Sequence, residues 1–401
     1  DSTRMIFARP RSKQNTESEY STDKHMQPVL DGIMVVEVGQ ILSAPYAAAI
    51  MGDLGAEVVK VERPSGDDGR SMGPAFKNGD SMNFHIFNRG KKSVKLDLRG
   101  EEGRRYFDSL IASCDIFIHN LRPGVQQDLG MSGEELCKRY PRLVYCEISA
   151  FGHTGPMSQK PGYEPLAQAY GGLMTINGGP DDQPSRMGAS VCDQGAGMWA
   201  VIGSLSLLRQ RDITGVGGIV QTSLFETALG WAVQRTDAYR NQGVLLEKHA
   251  TGHPNLVPYQ SFNAADGAFL ICAGNDRLFA RLAAALDHGE WSTDSRFSTN
   301  RERLLNREEL LTKIQPILLG KTRDQWIAQL EAVGVPCSPI HTIPEVVALP
   351  QAKALGIFSN VPGEDYTLTG LPLTINGNRP RVRCGPPRLG EHNLELFGDA
   401  K

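Results

Sequence analysis

The segment 33–64 reads IMVVEVGQILSAPYAAAIMGDLGAEVVKVERP. Its opening, Ile33–Val38, is an apolar run rich in β-branched residues, the composition of a strand buried on both faces. Ser43–Leu54 then follows a helical period, with Ala47, Ala48, Ile50, Met51 and Leu54 as its apolar positions. Gly55 ends that helix, and Glu57–Glu62 (EVVKVE) returns to strand. Strand, helix and strand at this spacing make a parallel βαβ unit, since the helical crossover carries the chain back to the sheet's starting edge.

The alternation continues outward from this unit. Val94–Leu98, Asp115–His119 and Leu143–Ile148 read as further strands, with helices over Glu101–Cys114 and Gly130–Tyr140 between them. Such alternation predicts an α/β fold with a Rossmann-like, doubly wound sheet, whose ligands bind at the C-terminal ends of the strands. Arg63, Lys91, Lys92, Arg99 and Arg122 fall at or near those ends. Five basic groups on one edge suit a phosphate-rich ligand; scattered solvated charge is the plainer alternative for each. A dinucleotide fits poorly. Glu62 ends the second strand where a ribose-binding carboxylate would sit, but the loop GQILSAP lacks the G-x-G-x-x-G that lets a pyrophosphate reach the helix N-terminus.

Phe151-Gly152-His153-Thr154-Gly155-Pro156 is a tight glycine loop, and Lys160-Pro161-Gly162-Tyr163-Glu164 leads into a helix over Pro165–Tyr170. His153 is a candidate general base, with a loop histidine bonded to backbone as the bland reading. The stretch 185–211, SRMGASVCDQGAGMWAVIGSLSLLRQR, sets one carboxylate, Asp193, ahead of a long helical pattern. Asp is a favoured N-cap, Gly195 and Gly197 would leave that turn bare, and Met198, Val201, Ile202, Leu205 and Leu208 share a face that would anchor it. An ordinary capped helix is the competing reading. Cys192 is read as a buried structural thiol.

A second unit follows. Ile219–Thr222 is a strand and Leu224–Tyr239 a helix, then comes a polar, loop-rich region containing His253, Asn255, Tyr259 and Gln260. Ala268–Cys272 is a strand, and helices cover Arg277–Leu286, Arg303–Leu318 and Arg323–Val333. The expected division is a tail or tag over 1–26, a large domain from 27–222 and 335–401, and a smaller α+β domain over 223–334. The net charge of −3 leaves no electrostatic footprint for nucleic acid. The seven cysteines are scattered without a CxxC, against zinc or a disulfide framework. No apolar run is read as spanning a bilayer. A cytoplasmic location is expected, with the mitochondrial matrix as the alternative, because Arg4, Arg9, Arg11 and Lys13 precede Glu17 in a tail weakly like a transit peptide.

Several motifs in one order resemble the class III CoA-transferases, the CaiB/BaiF group, nearest to dicarboxylate and formyl-CoA transferase-like members. They are the βαβ segment, FNRGKKSVKLDL, NLRPG, ISAFGHTGP, PGYEPLAQAYGGLM, the Asp193 stretch, and VGVPCSPIHTI with PPRLGEH near the end. The resemblance implies a large Rossmann-like domain built from both chain ends, a smaller inserted domain and an interlocked homodimer. It implies Asp193, at the start of a helix after a short strand, as the nucleophile toward an acyl-CoA, passing CoA to a small carboxylic acid through an aspartyl-CoA thioester. Glycines beside Asp193 would admit a bulky thioester, and the helix N-terminus would keep its pKa low. The positions matched to CoA contacts are Arg63, Leu96, Arg99, Asn120, Leu121, Arg122, Lys160, Pro161 and Gly162, with Tyr163 and Glu164 beside the reaction centre. CoA enters as substrate, and no tightly bound cofactor or metal is expected.

Two departures bear on these implications. The mobile tetraglycine loop of formyl- and oxalate-handling members has no counterpart here, Gly274-Asn275-Asp276 being the nearest feature. The related α-methylacyl-CoA racemases place a histidine where this chain has Tyr163, and a phenol, ordinarily titrating near ~10, is a poor proton acceptor at neutral pH. A racemase or epimerase is therefore the second reading, and a non-catalytic CoA-binding protein the third. His253, Asn255, Tyr259 and Gln260 are candidates for holding an acceptor's second carboxylate.

Overall fold

The computed structural model describes residues 28–398. The first half alternates as the pattern predicts: β1 (Met34–Val38), α1 (Ser43–Asp53), β2 (Glu57–Glu62), α2 (Met82–Asn88), β3 (Lys92–Lys95), α3 (Glu101–Ser113), β4 (Ile116–His119), α4 (Gly133–Arg139) and β5 (Val144–Ser149). Then come α5 (Glu164–Tyr170), α6 (Val191–Thr214) and β6 (Gly218–Ser223). The six strands form one parallel sheet in the order β3-β2-β1-β4-β5-β6. The chain steps outward from β1 to β3, then returns to lay β4 on the other flank of β1. That reversal opens a crevice beyond the C-terminal ends of β1 and β4.

Alternate side chains of each strand feed two cores, as a sheet covered on both faces requires. Val35, Val58, Ile116, Ile118, Val144 and Cys146 pack with α1 and α6, while Val36, Val59, Phe117 and Tyr145 pack with Phe107, Leu110 and Ile111 of α3. The chain's end closes the β3 edge, where His392 N donates to Ser93 O at 2.9 Å.

Helix α6 departs from the expectation in part. Val201 and Leu208 are buried and Leu205 packs against the core as expected, but Met198 and Ile202 are exposed, and the rest of the buried face is small, with Gly195, Ala196, Gly197, Ala200 and Ser204. The two glycines serve packing more than access. A Cβ on Gly197 would lie 2.9 Å from Ser43 O, and one on Gly195 would lie 2.5 Å from Thr227 Cγ2. By length and composition alone α6 is apolar enough to cross a membrane, unlike the sequence reading. It packs on α1, β5 and β6 and buries Ser204 and Arg211, as core helices do.

The expected helix 224–239 is two helices, α7 (Leu224–Trp231) and α8 (Val233–Gln242), and Leu224, Ala228 and Ala232 join the first core. A separate core gathers Val257, Phe262, Phe269, Phe279, Leu282, Leu310, Ile314, Trp326 and Val335 around an antiparallel sheet of β7 (Tyr259–Asn263), β8 (Ala268–Cys272) and β9 (Cys337–Pro339). Strand β7 was expected as loop, because YQSFN carries only one deeply buried side chain, Phe262, and offers little apolar alternation. The expected helix 303–318 breaks at Asn306 into Asn300–Leu305 and Arg307–Leu318.

Candidate active site

A cleft of about 490 Å³ opens at the crevice between β1 and β4. Its floor is the Gly39–Ser43 turn that follows β1, and buried charge holds that turn in place. Glu37 lies between two buried lysines, with Lys60 Nζ at 2.9 Å and Lys91 Nζ at 2.7 Å. Lys60 also donates to Gly39 O at 2.9 Å and pairs with Asp67 at 2.9 Å, and Lys91 donates to Pro45 O at 2.9 Å. Asp67 in turn accepts from Ile41 N at 3.0 Å. Ile41 needs this support, since its φ of 66° is a left-handed conformation that a β-branched residue rarely takes. Burial, opposed by Glu37, pushes Lys91 down to about 8. Burial also works against Lys60, but Glu37 and Asp67 hold it above the ordinary lysine range.

The expected basic edge therefore divides. Arg63, Arg99 and Arg122 line the cleft. Lys91 is spent beneath it, and Lys92 turns outward to Glu57 and Glu395. Glu62, weighed above as a ribose carboxylate, is buried and occupied by Arg70, Ser93 and Asp67 N.

Asn120, Leu121, Pro161, Gly162, Tyr163, Glu164 and Asp193 all line the same cleft. Leu96 lines an adjoining cleft of about 250 Å³ that shares Arg63 and Arg99 with the first. Among the positions matched to CoA contacts, Lys160 alone lines neither and is exposed. Tyr163 Oη accepts from Arg122 Nη2 at 3.3 Å.

Asp193 is not an N-cap. Ser190 precedes the helix, Asp193 is the third residue of α6, and no strand leads into it. Its carboxyl is not low in pKa either. Burial first and the neighbouring Glu164 carboxylate second push it up to about 7, with only a hydrogen bond from the Ser43 side chain pulling the other way. Any help from the helix N-terminus is outweighed. Glu164 opens α5 and is 4% exposed. Its Oε1 accepts from Gln168 Nε2 at 2.5 Å, while Oε2 is buried without a hydrogen-bond partner among the described residues. Cys192 is buried, and desolvation pushes its thiol up to about 12. Two carboxylates thus line a cleft whose walls also carry three guanidinium groups, an arrangement that sets a carboxylate pair beside basic groups suited to a polyanion.

A match to the CoA-transferase family III profile spans residues 30–393. The chain belongs to this family. It is 34% identical over 369 residues to an acetyl-CoA:oxalate CoA-transferase of Acetobacter aceti, covering 91% of this chain and 94% of that protein. It is likewise 34% identical over 382 residues to a succinyl-CoA:glutarate CoA-transferase of Mus musculus, covering 93% and 86%. The crystal structure of a CaiB/BaiF family protein from Brucella suis matches with a TM-score of 0.83 at 36% identity, covering 92% of this chain and all of that one. The protein is a CoA-transferase.

Other expectations about this transferase's site are revised. His153 does not line the cleft; its Nδ1 lies 3.5 Å from Glu147. His253, Asn255, Tyr259 and Gln260 do not reach the cleft within the chain, and His253 Nδ1 accepts from Asn255 N. The Gly274–Asp276 turn is a helix cap, with Asn275 accepting from Leu278 N at 2.9 Å and Asp276 pairing with buried Arg303 at 2.9 Å. Sequence reasoning missed Ser43 and Gln168. Gln168 stood inside the motif PGYEPLAQAYGGLM and was read only as part of a short helix, and Ser43 stood inside the decisive segment and was read only as a helix start.

Proposed function

We propose that this CoA-transferase moves CoA from an acyl-CoA donor to a small dicarboxylic acid through an aspartyl-CoA thioester on Asp193. The observation that carries this reading is the placement of Asp193 in one cleft with Arg63, Arg99 and Arg122, beside a cysteine too buried and too high in pKa to serve instead. One Asp193 oxygen attacks the thioester carbonyl carbon, the C–S bond breaks, and CoA departs as thiolate, leaving a mixed anhydride. The thiolate then attacks Cγ of Asp193 and expels the donor's carboxylate. The acceptor acid reverses both steps. Arg63 and Arg99 suit the phosphate-bearing end of CoA, and Arg122, hydrogen-bonded to Tyr163, suits the part nearer the reaction centre. Glu164 supports Asp193 as a second carboxylate.

Oxalate and glutarate in the relatives' names favour a dicarboxylate acceptor. A homodimer is supported by the exposed apolar side chains Met198, Trp199 and Ile202 along α6, a patch that a second copy would cover. The test is intact-protein mass spectrometry after mixing with succinyl-CoA, then hydroxylamine. A CoA-sized adduct on Asp193 that hydroxylamine removes is expected, and Asp193→Ala should abolish adduct and transfer while retaining CoA binding. Transfer at full rate by Asp193→Ala would overturn the mechanism.

A further inference from the structure

The Asn120 amide is spent within the protein. Its Nδ2 donates to Gln40 O and to Ser43 Oγ, each at 3.0 Å, and its Oδ1 accepts from Gln40 N at 2.9 Å. This leaves it poorly placed as the CoA contact that the resemblance implied. A serine hydroxyl has a single proton to donate. With Asn120 filling an acceptor position on Ser43 Oγ, that proton is left to turn elsewhere, and the Asp193 carboxyl, whose pKa the Ser43 side chain draws down, lines the same cleft. Ser43 is 3% exposed and opens α1, and all three residues line the cleft. Asn120 thus ties the turn after β4 to the start of α1, and the first turn of α6 faces the same cleft. The two helices are pressed together there, where Gly197 leaves no room for a Cβ against Ser43 O.

We propose that Ser43 is a catalytic residue of the transfer, donating its hydroxyl to one Asp193 oxygen throughout, and that Asn120 is the positioning residue that aims it. The inference rests on the aspartyl route above. The unheld Asp193 oxygen attacks the thioester and becomes the bridging oxygen of the anhydride. When the CoA thiolate adds to Cγ, the carbonyl electron pair moves onto the oxygen that Ser43 holds. Collapse of that oxyanion breaks the bond to the bridging oxygen, which leaves with the donor acid. One negative charge passes from carboxylate to thiolate to carboxylate, and no proton moves. A neutral donor suits this sequence, because it stabilises each oxyanion without having to be reprotonated.

The test measures the adduct-forming rate with succinyl-CoA across pH for Ser43→Ala and Asn120→Asp. For Ser43→Ala the expected rate falls ~10²-fold, the typical loss for one oxyanion donor. The KM for acyl-CoA should stay unchanged, and the acid limb of the pH profile should move upward, because a bond favouring the ionised carboxylate is gone. In Asn120→Asp the new carboxylate attracts the Ser43 proton, so the rate should fall comparably with the hydroxyl still present. A Ser43→Ala protein that forms adduct at the wild-type rate with an unshifted limb overturns this inference alone. Absence of any adduct on the wild-type protein overturns the aspartyl route beneath it.

Discussion

The adduct-forming half-reaction should slow as pH falls below neutrality, in step with protonation of Asp193. Its carboxyl is raised to about 7 by burial and by Glu164. Only the ionised form attacks, so at about pH 6 roughly a tenth of the enzyme is competent, against about nine-tenths near pH 8. A carboxyl at its ordinary value would give a flat profile over that range. The perturbation is Glu164→Gln, which removes the neighbouring negative charge, the second cause of the rise. The acid limb should then move to lower pH, and at about pH 6 the variant should keep a larger share of its own plateau than the wild type does. The assay is rapid-quench intact mass of the CoA adduct under subsaturating succinyl-CoA. The phosphates of CoA titrate alike with both proteins, so the ratio of the two profiles isolates the carboxyl pair. Coincident profiles, or a wild-type rate flat from about pH 5.5 to pH 8, would refute the reasoning, because Asp193 would then be ionised throughout.

The same raised pKa bears on stability. Between the unfolded value of 3.8 and the folded value of about 7, the native protein binds a proton that the unfolded chain has lost, so this site's contribution falls as pH rises through that window and is level above it. Asp193→Asn should therefore unfold at higher urea than wild type by ~2–3 kcal/mol near pH 8, after allowance for solvent at the cleft, and the gain should shrink toward pH 5. A gain independent of pH would point away from ionisation as its cause. Glu37→Gln leaves Lys60 and Lys91 buried with less counter-charge and should cost ~3–5 kcal/mol in the same assay, whereas a cost under ~1 kcal/mol would show that Asp67 suffices. Arg63→Ala and Arg122→Ala should each raise the KM for acyl-CoA ~10-fold or more, with a smaller change in kcat. An unchanged KM in either would remove that arginine from the binding site.

Segment 33–64 carried the architecture in its own letters. The change from a strand's apolar run to a helical period and back is local, and parallel pairing of β1 with β2 follows from the length of the crossover. The same is true of Asp193, a lone carboxylate at the start of a long helix, and of the glycines at 195 and 197, although their purpose was misread. What tertiary structure decided were properties that depend on distant neighbours. Lys91 and Arg99 are both basic residues near strand ends, yet Lys91 is buried against Glu37, 54 positions away, and Arg99 faces the cleft. The pKa of Asp193 was expected low from its place on α6 and is raised, because burial and Glu164 are supplied by the packing of α5 and α6 over the cleft. Ser43 gains its role from Asn120, 77 residues along the chain, through a bond that no spacing rule encodes. Periodicity is set by covalent geometry and local burial, so the sequence alone determined the fold; solvation, charge and hydrogen-bond direction at the site depend on groups brought together only when the sheet closes on its helices.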